Sequence, residues 1–280
     1  MLGSQRLFIA STLLLAACGA SSPAPSGDAA PPSDAAPPGD AAPAGQQGNV
    51  VISQTVLAVG PATITTAVHA ATFGSTRSGC TERREGACVI HRCPTSAADA
   101  GAPAGLSSAG AITFSGGMGA PITIMPGPDG RYMANTGMMA RWRSGEVITV
   151  RAAGAMVPAF EAMVPFPATV MVTQPAVSPT MPVRVPRGMP LVTRWTAMGA
   201  GGEVKVSVAS ADSTTTSLVT CGFPPAAGTG TIPATALSDL VVGQGSFSVT
   251  VTDFRTVTAG AWNVAVAANA TGAAGLATVE

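Results

Sequence analysis

The chain has 280 residues, of which 46% are hydrophobic and only 10% are charged, and its 14 basic residues balance its 14 acidic ones. An average soluble domain is about 25% charged, so this composition excludes both a disordered acidic tail and a basic nucleic-acid binder. The length is sufficient for one large or two ordinary β domains once the N-terminal segments described next are set aside.

The N-terminus has the features of an export signal. Arg6 precedes an apolar run over residues 7–17 (LFIASTLLLAA), which is too short to span a bilayer and has the length of a secretory h-region. The run ends in Leu15-Ala16-Ala17-Cys18, which resembles the lipobox of bacterial lipoproteins; the alternative is an ordinary secretory signal with an incidental cysteine. The resemblance implies that residues 1–17 are a signal peptide removed by cleavage.

The same resemblance implies a lipid anchor on Cys18, with lipid (palmitate among its acyl chains) on the thiol and an acyl chain on the freed amine. Three acyl chains would hold the protein on a membrane, where a single chain would bind only marginally. Gly19, rather than an aspartate, follows the cysteine, and in the enterobacterial members of this class that choice accompanies the outer membrane. We therefore expect an exported protein anchored to the cell envelope, at the outer membrane.

Residues 18–48 predict a disordered linker. After the cysteine they contain only Ala, Pro, Gly, Ser, Asp, Gln and, within them, a hexapeptide repeated three times: GDAAPP (27–32), SDAAPP (33–38) and GDAAPA (39–44). Such a segment has no apolar side chains large enough to form a core, and its prolines favour an extended polyproline conformation. We expect a flexible stalk between the lipid anchor and the folded part of the chain.

From residue 49 onward, short runs of Val, Ile and Thr between Gly and Pro predict an all-β fold. The alternation is clearest at residues 204–208 and 246–252, where valines or phenylalanine alternate with polar residues, as in strands with one solvated face. Further strands are predicted at 50–59, 62–72, 87–92, 109–114, 121–125, 131–134 and 146–152, with a hairpin turn at 126–130 and a single short helix at 233–240.

A proline-dense belt between Pro165 and Pro190 interrupts this strand pattern and predicts a domain boundary. We place a β-sandwich domain with a cysteine cluster at residues 49–175. An immunoglobulin-like β-sandwich domain follows at residues 176–280, with Trp195 and Trp262 as core residues. The alternative is one continuous sandwich in which the belt crosses an edge.

The region after the linker also resembles a group of uncharacterised all-β lipoproteins common in myxobacteria. Four segments carry the resemblance: GCTERREGACVIHRC (79–93), VPAFEAMVPFP (157–167), VTRWTA (192–197) and CGFPPAAGTGTIPATALSDL (221–240). No chemistry is attached to these segments, so the resemblance implies export and an all-β architecture and leaves the function open.

Four cysteines remain besides Cys18, and an exported protein meets an oxidising compartment in which they form disulfides. Cys80, Cys88, Cys93 and Cys221 allow three pairings. A hairpin turning at residues 83–86 would place Cys80 opposite Cys88 and leave Cys93 for Cys221, and we carry this pairing forward as a prediction with the other two open.

Metal binding is the alternative use of the same segment. His91 lies between Cys88 and Cys93, so Cys80, Cys88, His91 and Cys93 together have the donor set of a Cys₃His zinc site, although no Cys-x-x-Cys pair is present. A second hypothesis is a copper site, since thioethers are soft ligands and eleven methionines lie between Met118 and Met198, among them Met133, Met138 and Met139. The more ordinary role of such methionines is to fill gaps between the sheets.

A possible ligand site is formed by Tyr132, Arg141, Trp142 and Arg143, where aromatic rings lie beside guanidinium groups that together suit a sugar ring or an anionic polymer. The alternative is that Trp142 belongs to the core. The sequence contains no G-x-S-x-G, H-E-x-x-H or P-loop motif, so we predict no catalytic residues and no enzymatic activity.

Together these features predict a non-enzymatic envelope lipoprotein with a structural, adhesive or ligand-binding role. We expect no cofactor and no nucleic-acid partner; the partners are the membrane, through Cys18, and an envelope polysaccharide or protein. The alternative is a metal-binding (zinc or copper) or redox-linked envelope protein that uses the cluster at residues 80–93.

Overall fold

The computed structural model describes residues 46–59, 62–74, 80–95, 106–135, 140–178 and 181–280. The signal peptide (1–17), Cys18 and most of the linker (18–48) lie outside the described residues. The first strand begins at Gln46, so the linker ends at residue 45 at the latest, three residues earlier than predicted.

The described residues form an all-β fold, as predicted, with seventeen strands and one turn of α-helix. Their bounds are β1 Gln46–Val59, β2 Ala62–Gly74, β3 Thr81–Glu85, β4 Cys88–Pro94, β5 Ile112–Ser115, β6 Ile122–Ile124, β7 Tyr132–Asn135, β8 Val147–Ala152, β9 Phe160–Pro165, β10 Thr169–Gln174, β11 Val183–Val185, β12 Leu191–Met198, β13 Glu203–Ala211, β14 Thr215–Phe223, β15 Thr229–Ile232, α1 Ala234–Leu237, β16 Gly243–Ala259 and β17 Trp262–Val279.

Every strand predicted from the alternation pattern is present, but the turn at residues 126–130 does not close a hairpin. Gly130 donates a backbone hydrogen bond to Gly127 (2.9 Å), so the turn itself forms as its Pro-Gly-Pro-Asp-Gly sequence predicts. The strands on either side belong to different sheets, since β6 pairs with β5 and β7 pairs with β2. The turn therefore carries the chain from one layer of the fold to the other.

The strands form one large sheet and two small ones. The large sheet has ten strands in the order β3-β4-β14-β13-β16-β17-β1-β2-β7, and β11 also pairs with β17. The small sheets have the orders β6-β5-β8-β9 and β10-β12-β15. All ladders are antiparallel except the two that join β17 to β1 and to β11, which are parallel.

Two hydrophobic cores lie on the same side of the large sheet. The first core packs the four-stranded sheet against β1, β2 and one half of the β16–β17 hairpin, and it contains Trp142 and Trp262. The second core packs the three-stranded sheet and α1 against β4, β13, β14 and the other half of the hairpin, and it contains Trp195. Trp262 is therefore a core residue as predicted, but of the first core.

The β16–β17 hairpin reaches across both cores. Its two-residue turn has Gly260 with φ 60° at the first position, where hairpin geometry favours glycine. In β17 the buried residues are even-numbered from Trp262 to Ala270 and odd-numbered from Ala273 to Val279. The parity changes because the register with β16 shifts beside Gly272, which keeps both halves of β17 buried on the same side.

This packing departs from the predicted division between residues 175 and 176. The described residues from Gln46 onward belong to one compact unit, because β1 pairs with β17 and β4 pairs with β14 across the predicted boundary. Residues 176–280 alone do not complete an immunoglobulin-like sandwich, since β4 supplies part of their core. The chain instead passes from the first core to the second at the buried segment Phe166-Pro167-Ala168, within the proline-rich belt.

The first core encloses a histidine, His69, which is fully buried. Its ring lies 4.8 Å from the ring of Phe114 and 6.3 Å from that of Trp142, measured between centroids. Neither ring nitrogen has a hydrogen-bond partner among the described residues. Burial, and secondarily the charge of Arg141, lowers the pKa of His69 from 6.5 to about 4, so the imidazole is neutral in the folded protein at neutral pH.

We predict that His69 makes the fold sensitive to mild acid. Between pH 6.5 and about pH 4 the unfolded chain binds a proton at His69 and the folded chain does not, so stability falls as the pH falls, by about 3 kcal/mol over the window. Urea unfolding of the wild type and of His69→Leu at a series of pH values measures this. The variant should lose that part of the pH dependence, and an unchanged pH dependence would contradict the prediction.

Candidate functional site

The cysteine hairpin forms two disulfides, but their pairing is not the predicted one. Cys80 is bonded to Cys93, and Cys88 is bonded to Cys221. The prediction was wrong because the turn of the β3–β4 hairpin lies at Gly86-Ala87, with Glu85 opposite Cys88 and Thr81 opposite Arg92. That register places Cys80 beside Cys93, while β14 places Cys221 directly opposite Cys88.

The same register separates the ligands of the predicted zinc site. Cys88 points into the second core, whereas His91 and Cys93 lie at odd spacings from it along β4 and so project from the other face of the strand. The three cysteine sulfurs of the predicted site are bonded in disulfides and are not available as thiolates. A site built from Cys80, Cys88, His91 and Cys93 therefore does not form in this structure; Nδ1 of His91 lies 4.0 Å from Glu82 instead.

Of the predicted ligand site, the aromatic residues are buried. Tyr132 and Trp142 are 1% and 2% exposed, so neither ring is open to a sugar, and the prediction is corrected: both are core residues. The Tyr132 hydroxyl donates to the Gly110 carbonyl (2.9 Å) and accepts from the Ala109 amide (2.8 Å). These bonds satisfy the polar end of a buried tyrosine.

Trp142 is held in place by a buried glutamine. The side-chain oxygen of Gln54 accepts hydrogen bonds from the backbone amides of Arg141 (2.8 Å) and Trp142 (3.1 Å), and its nitrogen donates to the Trp142 carbonyl (3.1 Å). Arg141 lies 5.8 Å from the Trp142 ring centroid and donates to the Ala120 carbonyl. Arg143 is exposed, and its backbone amide donates to Glu146. Tyr132 and Trp142 thus belong to the first core, and the predicted site has no exposed aromatic ring.

The nine methionines whose side chains the structure describes do not fill gaps between the sheets, since all of them are exposed. Met133 is 65% exposed, and Met138 and Met139 lie outside the described residues, so the copper hypothesis stays a prediction. Within the described ranges, no group of three or more His, Cys, Asp and Glu side chains is arranged to hold a metal ion.

A different surface emerges from the strand register. One side of the large sheet faces away from the cores. The part of this side behind the first core is formed by β16, β17, β1 and β2, and we call it the outer face. Its side chains are Thr250, Thr252, Phe254, Thr256 and Thr258 on β16, Asn263, Ala265, Ala267, Asn269 and Thr271 on β17, Asn49, Val51, Ser53 and Thr55 on β1, and Thr66, Val68, Ala70 and Thr72 on β2. All except Ala70 are half-buried or exposed.

The outer face has an apolar row bordered by polar rows. Phe254 lies opposite Ala267, which lies opposite Val51, followed by Ala70 and by Met133 on β7. At about 4.8 Å between strands, this row extends for about 19 Å.

The next row on one side contains Thr252, Asn269 and Ser53 and ends at Val68. The next row on the other side contains Thr256, Ala265, Asn49 and Thr72. One row further along, Thr250, Thr271, Thr55 and Thr66 line up across four strands.

The outer face is uncharged. Twelve of its eighteen side chains carry a hydroxyl or amide group and none carries a formal charge. The nearest charged side chains with the same orientation lie on the adjoining strand β13, where Glu203 is opposite Thr252, Lys205 is opposite Thr250, and the two form an ion pair (2.5 Å). Arg84 pairs with Glu82 (3.0 Å) on the more distant β3. Such a surface offers hydrogen bonds to a neutral ligand but no electrostatic attraction to a phosphate or carboxylate polymer.

Sequence reasoning missed this surface although part of its signal was visible. The alternation at residues 246–252 identified the polar side of β16. It did not reveal that the polar sides of β17, β1 and β2 continue the same plane, because that depends on the parallel pairing of β1 with β17, which brings together residues more than 200 positions apart.

A scan against protein-family models and a search of the curated proteins both return no match for this chain. Among the described residues, no helix has the length and apolar character needed to cross a membrane.

The disulfide pairing is directly testable. In a tryptic digest without reduction, cleavage after Arg83, Arg84 and Arg92 separates Cys80, Cys88 and Cys93, so we expect the Cys80 peptide linked to the Cys93 peptide and the Cys88 peptide linked to the Cys221 peptide. A peptide pair joining Cys80 to Cys88 would contradict the structure.

The two bonds should also differ in their contribution to stability, because they close loops of 133 and 13 residues. Chain entropy predicts losses of about 5 and 3 kcal/mol respectively. Urea unfolding of Cys88→Ala/Cys221→Ala, with Cys80→Ala/Cys93→Ala as the matched control, measures the difference, and an equal loss would argue against the entropic account.

Proposed function

We propose that this protein is a non-enzymatic lipoprotein of the cell envelope that binds a neutral polysaccharide through the outer face. The observation that carries the proposal is the outer face itself: an uncharged sheet surface with one aromatic ring in an apolar row, bordered by rows in which most side chains carry hydroxyl or amide groups.

The shape of the surface favours an extended polymer over a small molecule. Small ligands bind in concave pockets that enclose most of their surface, whereas the outer face is the side of a sheet built from strands of 13 to 18 residues. A polysaccharide presents alternating apolar ring faces and hydroxyl groups along its length. The ring of Phe254 suits the former, and Thr252, Asn269 and Ser53 suit the latter.

The absence of charge on the outer face favours a neutral polymer over an acidic one. Nucleic acids and acidic polysaccharides are bound mainly through basic side chains. The outer face has none, and Lys205 on the adjoining β13 is paired with Glu203 (2.5 Å). Arg141 and Arg143 lie beside a buried tryptophan and are not on this face, so we do not propose the anionic polymer that their sequence pattern suggested.

The envelope location rests on the sequence and is consistent with the disulfides. Leu15-Ala16-Ala17-Cys18 has the order of a lipobox, and residues 18–45 supply a spacer of suitable composition. Two disulfides among four cysteines are typical of an oxidising compartment. A lipid on Cys18 with a flexible spacer would leave the outer face accessible to polymer on the same membrane or on a neighbouring cell.

We predict that Cys18→Ser releases the protein from the membrane. The change removes the thiol that accepts the lipid, so the protein should move from the detergent-extracted membrane fraction to the soluble fraction, and intact mass should lose the acyl chains. Cys80→Ser/Cys93→Ser is the matched control and should stay membrane-bound. A wild-type product that retains residues 1–17 in the cytosol would contradict the anchor.

We predict that Phe254→Ala weakens binding to a neutral polysaccharide about tenfold, since it removes the aromatic surface of the apolar row. Co-sedimentation of the purified full chain with insoluble cellulose, chitin and β-1,3-glucan, and with alginate as an acidic polymer, measures the effect. Asn269→Ala should weaken binding to the same polymer by removing an amide beside the ring.

The matched control is Met163→Ala, which removes an exposed apolar side chain of similar size from the four-stranded sheet and should bind as the wild type does. Equal binding by Phe254→Ala and the wild type, binding to alginate alone, or no binding to any neutral polymer would contradict the proposal.

A further inference from the structure

The described methionines are exposed, which is unusual for such an apolar residue. The nine whose side chains the structure describes are all between 42% and 73% exposed: Met118, Met125, Met133, Met156, Met163, Met171, Met181, Met189 and Met198. Methionine is normally among the most often buried residue types, yet both cores are built from Val, Ile, Leu, Ala, Phe, Trp, Tyr and disulfide-bonded Cys without a described methionine. Among the residues whose burial is described, the remaining large exposed hydrophobics are Val56, Val147, Val242 and Leu276.

The aromatic and cysteine side chains that oxidants attack are buried or already bonded in disulfides. The sequence has three tryptophans and one tyrosine, and all four are buried, with exposures of 4% or less. Cys80, Cys88, Cys93 and Cys221 are in disulfides. On the described surface, thioether sulfur is therefore the sulfur group that an oxidant in solution meets first.

The methionines are also dispersed. They lie on β7, β9, β10 and β12 and on the connections before and after β6, between β8 and β9, and on both sides of β11. A single metal site or a single docking surface would need them close together on one face. Dispersed sulfurs suit a reaction in which each acts independently.

We propose that these methionines act as a sink for two-electron oxidants such as hypochlorous acid at the surface of the protein. The sulfur of each thioether is oxidised by two electrons and forms an S–O bond, while the O–Cl bond breaks and the chlorine leaves as chloride with release of one proton. The product, methionine sulfoxide, is the rung of the oxidation series that cellular reductases reverse. Since the sulfoxides form outside both cores, the fold is retained and each sulfur is reusable.

This activity is separate from polysaccharide binding, because only Met133 adjoins the outer face. Failure of one proposal therefore leaves the other standing.

The test begins with the purified full chain, titrated with hypochlorous acid up to eleven equivalents, one for each methionine between Met118 and Met198. Peptide mapping should place one added oxygen, about 16 Da, on each of the nine methionines while the tryptophans and disulfides stay intact. The thermal unfolding midpoint should shift by less than about 2 °C. Oxidation of tryptophan before methionine, or a larger fall in the midpoint, would overturn the proposal.

A variant with all nine methionines changed to leucine should consume at least fivefold less oxidant under the same conditions. The matched control changes Val56, Val147, Val242 and Leu276 to alanine, which alters a similar kind of surface and should leave oxidant consumption unchanged. If the leucine variant does not fold, the rate of oxidation per methionine sulfur in the wild type is compared with that of N-acetylmethionine. A rate within about threefold of the model compound supports the proposal, and a slower rate overturns it.

The biological role is tested by replacing the chromosomal copy with the leucine variant. Cells should then survive a hypochlorous acid challenge about tenfold less well than cells with the wild type, and equal survival would overturn a role as an oxidant sink.

Discussion

The fold depends on the central position of β17. This strand pairs with β16 along its whole length, with β1 in parallel over ten residues and with β11 at its end. Its N-terminal half lies over the first core and its C-terminal half over the second. Because both cores use the same strand, neither has a complete layer without it. The register shift beside Gly272 is what allows one strand to bury side chains of both cores on the same side.

The shared sheet also creates the surfaces that we connect with function. The outer face is continuous only because β1 is added in parallel to β17, and its neutral Thr, Ser and Asn side chains are then aligned by the ladders. The apolar methionines are left on the periphery because the two small sheets and the hairpin fill the cores with smaller, branched and aromatic residues. The binding surface and the oxidisable surface thus follow from one arrangement of strands and occupy different parts of the molecule.

Local patterns predicted local structure well and long-range structure poorly. The alternation at residues 204–208 and 246–252 and the proline at residue 233 were sufficient to place β13, β16 and α1. The prediction of the disulfide pairing was wrong because the β3–β4 turn lies at Gly86-Ala87 and not at residues 83–86. A change in the position of a turn changes the partner of every residue in the hairpin. Trp142 and Tyr132 are next to arginines in the sequence, which suggested an exposed site. Whether their rings are buried depends on tertiary packing, which the local sequence does not show. The domain boundary could not be read from prolines, since the pairing of β1 with β17 has no local signal.

The most direct test of the shared sheet is the number of unfolding transitions. Val264→Ala makes a cavity in the first core and Val206→Ala makes one in the second, and each should cost about 2 kcal/mol. In calorimetry and in urea unfolding followed by both fluorescence and circular dichroism, we expect one cooperative transition whose midpoint both substitutions lower. Two transitions, each shifted by only one of the substitutions, would show that the cores fold independently and would contradict the account.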